Sequence, residues 1–419
     1  MKPFRIGLAV QAAATAGIGL LSVSTPHASG FAIPEISIAG LGTANALAAN
    51  PEELGAIPYN PAAMSFHDSS SISAGLMFFS PSPEVRTATG SHSSEGEDTL
   101  VIPAFQGVYR VNDRWSLGLG ANAPFGLETA WPLGTFPLLS VPLGPFPAGI
   151  LHPTESTLEL LGITPTLSYR IGDELSLSAG LDYYDARKLL FNTHLLTIRG
   201  DGDAWGWNLA ALYRSGPFSI GASYHSEATA DLSGTYTLFG TPSVDADADL
   251  DLPSRLQLGI RYAFTDQLAV ELDWTRLGWS NFTEIVVKAS DSGAVLTRSA
   301  NHWDDADAYR LGLTYDITEA TQLRLGYAYD QTGQTAEFYS ARIPDADRQL
   351  FSIGLAHDLG DGWSLEGGYM YVKFDDEDFR ADRPFNPLVN RDVNGTSALN
   401  GDYSAHVHIF GIGISKSFL

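Results

Sequence analysis

The run Leu175-Ser176-Leu177-Ser178-Ala179-Gly180-Leu181-Asp182-Tyr183 alternates apolar with small or polar residues at every step. Successive side chains of an extended chain point to opposite faces, so the leucines, Ala179 and Tyr183 share one face of a strand. The same period of two recurs at Leu256, Leu258, Ile260 and Tyr262, and at Leu268, Val270, Leu272 and Trp274. It returns at Tyr309, Leu311, Leu313 and Tyr315, and at Leu323, Leu325, Tyr327 and Tyr329. A soluble sandwich alternates too, but nothing in one requires so many strands to reach the roughly 9 to 11 residues that a tilted strand needs to cross a bilayer.

The connections point the same way. Short turns fall at Asn112-Asp113, Gly172-Asp173, Ser215-Gly216, Thr265-Asp266, Thr318-Glu319 and Gly360-Asp361-Gly362, all turn-favouring residues. Long links are expected at about 80–98, 126–153, 187–201, 234–250, 278–302, 331–347 and 376–402. Seven long links and six short turns in strict alternation join 14 strands, the pattern of an all-β, antiparallel transmembrane barrel with short periplasmic turns and long extracellular loops. Phe410, Ile412, Ile414 and Phe418 then form one face of the closing strand, with Leu419 behind the terminal aromatic.

Composition narrows the remaining classes. With 24 Lys+Arg against 48 Asp+Glu the formal net charge is -24, which does not suit binding to nucleic-acid phosphate. The absence of cysteine excludes a disulfide scaffold, a thiolate nucleophile and any Cys-ligated metal. At the amino terminus, Lys2 and Arg5 precede the apolar stretch 6–21, and Ala28-Ser29-Gly30 closes it, the layout of a signal peptide cleaved after Ala28. The expected organisation is a signal peptide at 1–28, an irregular plug or hatch at 29–68 and a barrel at 69–419.

The irregular segment passes through Ser29-Gly30-Phe31 and Ala39-Gly40-Leu41-Gly42 to Asn60-Pro61-Ala62. Later come Ala123-Pro124-Phe125-Gly126-Leu127, Trp205-Gly206-Trp207-Asn208, Tyr224-His225-Ser226-Glu227, Trp279-Ser280-Asn281-Phe282 and Asp307-Ala308-Tyr309-Arg310. In this order they resemble the FadL family, the long-chain fatty acid and hydrocarbon transporters of the Gram-negative outer membrane. The resemblance implies a plugged barrel that captures hydrophobic compounds outside, passes them to a lumen pocket and releases them sideways through a gap at the third strand. It also implies that Asn60, Pro61 and Ala62 form the hatch motif beside that gap.

Three sets of residues carry the expected chemistry. The segment 129–154 contains no Asp, Glu, Lys or Arg and is rich in proline. Trp131, Leu133, Phe136, Leu138, Leu139 and Phe146 either form an apolar capture surface or fold inward to cap the barrel. Gly118, Gly120 and Pro124 weaken the third strand, as a lateral opening requires. For a cargo carboxylate, Arg187 is the first cation, matched to the family's Tyr-Ala-Arg region, and Lys188 the second. Arg310 and Arg324 point inward by alternation, where lumen acids such as Glu271, Asp273 and Glu366 would pair with them.

Two departures weaken a strict carboxylate preference. Some fatty acid transporters carry lysine where this chain has Ala306, and the link 187–201 is short for the family. The expected cargo is therefore a long-chain fatty acid, with neutral aromatic or aliphatic hydrocarbons as the alternative and a general porin behind both. Neither catalysis nor a cofactor is expected. Asp245, Asp247, Asp249 and Asp251 imitate a calcium loop, but Leu250 and Leu256 stand where an EF-hand needs Gly and Glu. His406 and His408 alone do not make a metal site. Outer-membrane lipid and lipopolysaccharide are the expected surroundings of a monomer.

Overall fold

The computed structural model describes residues 30–96, 99–142, 148–386 and 392–418. The expected signal peptide lies outside them. Fourteen strands form the wall: Ser70–Pro81, Leu100–Arg110, Trp115–Asn122 continued by Gly126–Thr129, Glu155–Ile171, Leu175–Asn192, Leu196–Ser215, and Phe218–His225 continued by Ala228–Leu238. The second seven are Val244–Leu252 with Arg255–Ala263, Leu268–Leu277 with Glu284–Ala289, Val295–Ala300 with Ala306–Thr318, Thr321–Asp330, Arg348–Gly360, Trp363–Phe374 and His406–Phe418. All neighbours are antiparallel, and the first strand pairs with the last from Ser70↔Phe418 to Pro81↔Val407. This closure leaves no free edge where the first and last strands meet.

Alternation sorts the side chains as the sequence implies. Leu177, Leu258, Ile260, Leu272, Leu311 and Ile353 face outward and are exposed, whereas Ser176, Gln257, Glu271, Asp273 and Arg310 on the same strands face inward and are buried. Trp115, Tyr169, Tyr213, Tyr262 and Trp363 gather beside the short turns, and Tyr183, Trp205 and Trp207 mark the opposite boundary. Such belts sit at the two membrane interfaces. Just beyond the upper one, Asp185, Asp203, Asp231 and Asp249 stand directly opposite one another across the fifth to eighth strands. Like charges so placed repel, and they are tolerable only in water, which fixes the outer limit of the lipid zone there.

The fourth, fifth and sixth strands run for 17, 18 and 20 residues, well beyond what a membrane needs. Three of the seven expected long links are therefore strand, not loop. The connection inside 187–201 shrinks to residues 193–195, that inside 234–250 to 239–243, and 278–302 contains Glu284–Ala289 and Val295–Ala300. Above the membrane a strand can carry acid on its outer face at no desolvation cost, so polar residues there do not end it. The remaining long links build a cap. Glu84–Thr87, Gly90–Ser93, Glu377–Phe379 and Gly401–Ser404 form a separate four-stranded sheet over a core of Val85, Trp131, Phe136, Tyr339, Phe379 and Tyr403.

Leu272, outward and 59% exposed between the inward Glu271 and Asp273, lies on the lipid face. Leu272→Arg should destabilise the barrel by about 2–4 kcal/mol in a bilayer, read by reversible denaturant unfolding in vesicles. A neutral effect would place that face in water.

Candidate functional site

Residues 30–68 lie inside the wall, where most of them are buried. Short helical turns rather than strands fill this space: Ile38–Gly42 begins at Ser37, whose hydroxyl accepts from the Gly40 N–H, and Pro61–Phe66 begins at Asn60. Asn60 accepts from the Ala62 N–H with its side-chain oxygen and donates from Nδ2 to Ala48 O (2.6 Å) and Ala211 O (3.1 Å). The Asn-Pro-Ala tripeptide is thus a capped turn bonded to the sixth strand, with Pro61 at the first helical position, where its missing N–H costs nothing.

Charged side chains of the wall bind the backbone of this segment. The Leu47 and Ala48 N–H groups donate to Asp273 Oδ2 (3.0 and 2.9 Å), and the Ala49 N–H donates to Glu271 Oε1 (2.6 Å). Ser219 Oγ donates to Ala49 O, and Arg310 donates to Ala44 O. Arg324 pairs with Glu366 (2.5 Å) and with Glu53 of the segment (2.6 Å), while Arg310 pairs with Asp330 (3.1 Å). Glu271 and Asp273 thus hold backbone rather than the arginines. Clearance comes from inward glycines: a Cβ at Gly326 would sit 2.2 Å from the Thr43 carbonyl carbon, and one at Gly221 would overlap Ala48 O.

The wall is interrupted beside this segment. The second and third strands pair from Arg110↔Ser116 to Phe105↔Ala121. Above that point Leu100 to Ala104 pair with the first strand alone, and Gly126–Thr129 pair with the fourth strand alone. Proline stands on both margins, Pro103 and Pro124, and can donate no ladder hydrogen bond. The kink at 123–125 turns inward instead: Ile33 N donates to Pro124 O (2.8 Å) and Gly126 N donates to Phe31 O (3.0 Å). Phe31 is seated in an aromatic box, its ring 4.6 Å from Trp279, 5.7 Å from Phe282, 5.9 Å from Phe125 and 6.1 Å from Trp303.

Two cavities meet the wall here. The larger, about 670 Å³, has inward residues such as Phe31, Glu35 and Leu350 in its lining together with the outward Val101 and Glu159, so it runs through the interruption. The smaller, about 90 Å³, lies between Ile33, Ile36, Pro61 and Met64 of the segment and Gly118 and Gly120 of the third strand. Pro124 lines both its upper edge and the kink. A Cβ at Gly118 would collide with the Met64 sulfur, whereas one at Gly120 would meet only Thr164, at an ordinary contact distance of 3.9 Å.

The expected carboxylate cations do not line the smaller cavity. Arg187 is exposed and paired with Asp185 (2.9 Å); Lys188 is exposed and lies 3.5 Å from Glu159. The bulge between Ala186 and Leu189 in the fifth strand puts them on the high wall, with Arg187 in the lining of the larger cavity. The expected capture residues divide. Trp131, Phe136 and Leu139 are buried in the cap core, with Trp131 Nε1 donating to Ala341 O (2.7 Å). Leu133 and Leu138 are half exposed, and Phe146 lies outside the described residues. Sequence reasoning missed Arg255, an inward cation at the end of the smaller cavity. Its placement in Leu252-Pro253-Ser254-Arg255 was the available signal.

Fold and site together define a closed outer-membrane β-barrel whose lumen is filled by its own amino-terminal segment. The chain belongs to the family of outer membrane protein transport proteins (OMPP1/FadL/TodX), whose model matches residues 19–418. It is 26% identical over 407 residues to a 47 kDa outer membrane protein of Pasteurella multocida, covering 90% of this chain and 94% of that one. It is 23% identical to a long-chain fatty acid transport protein of Escherichia coli O6:H1, covering 87% and 91%. A FadL homologue of Pseudomonas aeruginosa shares the fold at TM-score 0.77 with 19% identity, covering 93% of this chain and all of that one. The toluene transporter TbuX of Ralstonia pickettii does so at 0.66 with 19% identity, covering 91% and 100%. The protein is an outer-membrane transporter of hydrophobic compounds.

His152 lies within the cap, wholly buried, with neither ring nitrogen bonded and Phe136 5.4 Å away. Burial, then repulsion from His194 and His92, pushes its pKa down to about 4. The folded cap holds it neutral while the unfolded loop takes up a proton below about 6.5, so stability is full above that pH and falls between 6.5 and 4. The amide protection factors across Trp131–His152, corrected for intrinsic exchange at each pH, should fall as pH drops through that range, and His152→Leu should abolish the fall.

Proposed function

We propose that the protein carries long-chain fatty acids from the cell surface into the outer membrane, releasing them sideways through the interruption between the second and third strands. The observation that carries this reading is the larger cavity, which joins the filled lumen to the outer face across the unpaired Leu100–Ala104 margin. The segment at 29–68, freed of a signal peptide at 1–28, acts as a hatch. Tied to the wall by Asp273, Glu271 and Arg324, it denies the cargo a straight water-filled route.

The thermodynamics favour this direction without an energy source. Each methylene moved from water to an apolar site gains about 0.8 kcal/mol, and the membrane receives it at no loss. Leu133, Leu138 and Val141, exposed on the cap, offer the first apolar contact. The relatives described as long-chain fatty acid transport proteins support the acyl cargo, and the similarity of fold to a toluene transporter makes neutral hydrocarbon the competing cargo. The barrel acts as a monomer, its apolar belt against lipid and its charged upper wall among lipopolysaccharide head groups.

The absence of native cysteine allows a direct test. Val101→Cys with Leu127→Cys, bridged by a short reducible crosslinker, should abolish oleate uptake by whole cells, and reduction should restore it. Undiminished uptake through the bridged protein would refute the lateral route.

A further inference from the structure

The smaller cavity is apolar at the hatch and polar at its far end, where Asp182, His225, Arg255, Thr275 and Arg310 meet. Two of these are spent. Arg310 is held by Asp330 and Ala44 O. Asp182 accepts from Thr164 (3.0 Å) and Asn208 (3.0 Å) through Oδ1, and its Oδ2 lies 2.8 Å from His225 Nδ1. These contacts fix the imidazole.

The other groups lack partners. Arg255 makes no hydrogen bond or ion pair with any described residue. It lies on the inner face yet keeps accessible surface, and that surface borders the cavity. His225 Nε2 and Thr275 Oγ1 are buried without a partner. The register brings the three together: His225 is directly opposite Arg255, and Thr275 lies diagonally across from Arg255, two residues from its partner Leu277. An arginine enclosed without a contact partner is costly, and Asp182, the one acid in this lining, balances its charge only through space. A planar guanidinium beside a hydroxyl matches the two oxygens of a carboxylate.

We propose that this end of the cavity is a carboxylate subsite, in which Arg255 and Thr275 bind the head group of an acyl cargo against the imidazole of His225. The chain of the cargo lies along Ile33, Ile36 and Met64 toward the third strand. The inference rests on the transport reading and adds a selection rule: an acid is retained where the corresponding alcohol is not. Arg255 is a binding residue. His225 is positioned by Asp182, and the ion-paired Arg187 has no part in the subsite.

The test is isothermal titration of the full-length, detergent-solubilised protein with oleate and with oleyl alcohol. Oleate should bind about 10-fold or more tightly than the alcohol, as expected for charge-assisted hydrogen bonds. Arg255→Met should erase that preference, Arg255→Lys should retain part of it, and Arg187→Ala should leave it intact. Alcohol binding by Arg255→Met also reports that the variant is folded; if it binds nothing, Thr275→Val, which spares the guanidinium, must reduce the preference or the subsite is refuted. A preference that survives Arg255→Met overturns the proposal. Equal binding of acid and alcohol by the unaltered protein overturns the subsite and leaves transport standing. Failure to bind either compound, with no uptake by cells, overturns both.

Discussion

No backbone N–H or C=O can be left unpaired against hydrocarbon, and the rest of the molecule follows from that. It forces the 14 strands to close, Ser70 onto Phe418, and makes any break in the ladder a structural decision that must be compensated. At the break between the second and third strands, two of the freed groups on the third strand turn inward. Phe31 and Ile33 of the amino-terminal segment take up the Gly126 N–H and the Pro124 carbonyl that the second strand does not. The gap and the segment are thus one hydrogen-bonded unit. A change in one alters the bonding of the other.

The lumen obeys a related rule. Glu271 and Asp273, adjacent on the inner face, accept three consecutive N–H groups from residues 47–49, and Arg324 bridges Glu53 to Glu366. Each charge-assisted bond of this kind contributes about 1.5–3 kcal/mol, and removing an acceptor strands buried donors. The acidic composition of the chain therefore has two destinations. Some carboxylates hold the filling of the barrel, and others, such as the Asp185–Asp203–Asp231–Asp249 row, coat the wall above the lipid.

Much of this was legible in sequence because one period governs it. Strand number, the six short turns and the inward setting of Glu271, Asp273, Arg310 and Arg324 all follow from alternation. Alternation does not say where a strand leaves the membrane, so the tall walls at 187–201, 234–250 and 278–302 read as loops. It also says nothing about register. Arg255, Leu277 and Ala306 form one row across the eighth to tenth strands, so the place lacking a lysine at Ala306 has an inward arginine two strands away. No spacing along the chain reveals that row. The inward glycines Gly221 and Gly326 read as merely small, and only the approach of Ala48 and Thr43 gives them a reason. For 129–154 composition left two readings open, and packing divides them residue by residue between cap core and exposed surface.

The route is the central claim, and it is best tested by where a moving cargo touches the protein. A fatty acid bearing a photoreactive group near its methyl end, activated during uptake by the intact protein in lipid nanodiscs, should label the margins of the break at Val101, Pro103 and Leu127. Labelling instead along the periplasmic mouth, at Glu53, Asp316 and Glu319, would contradict lateral release and assign the cargo a path through the hatch.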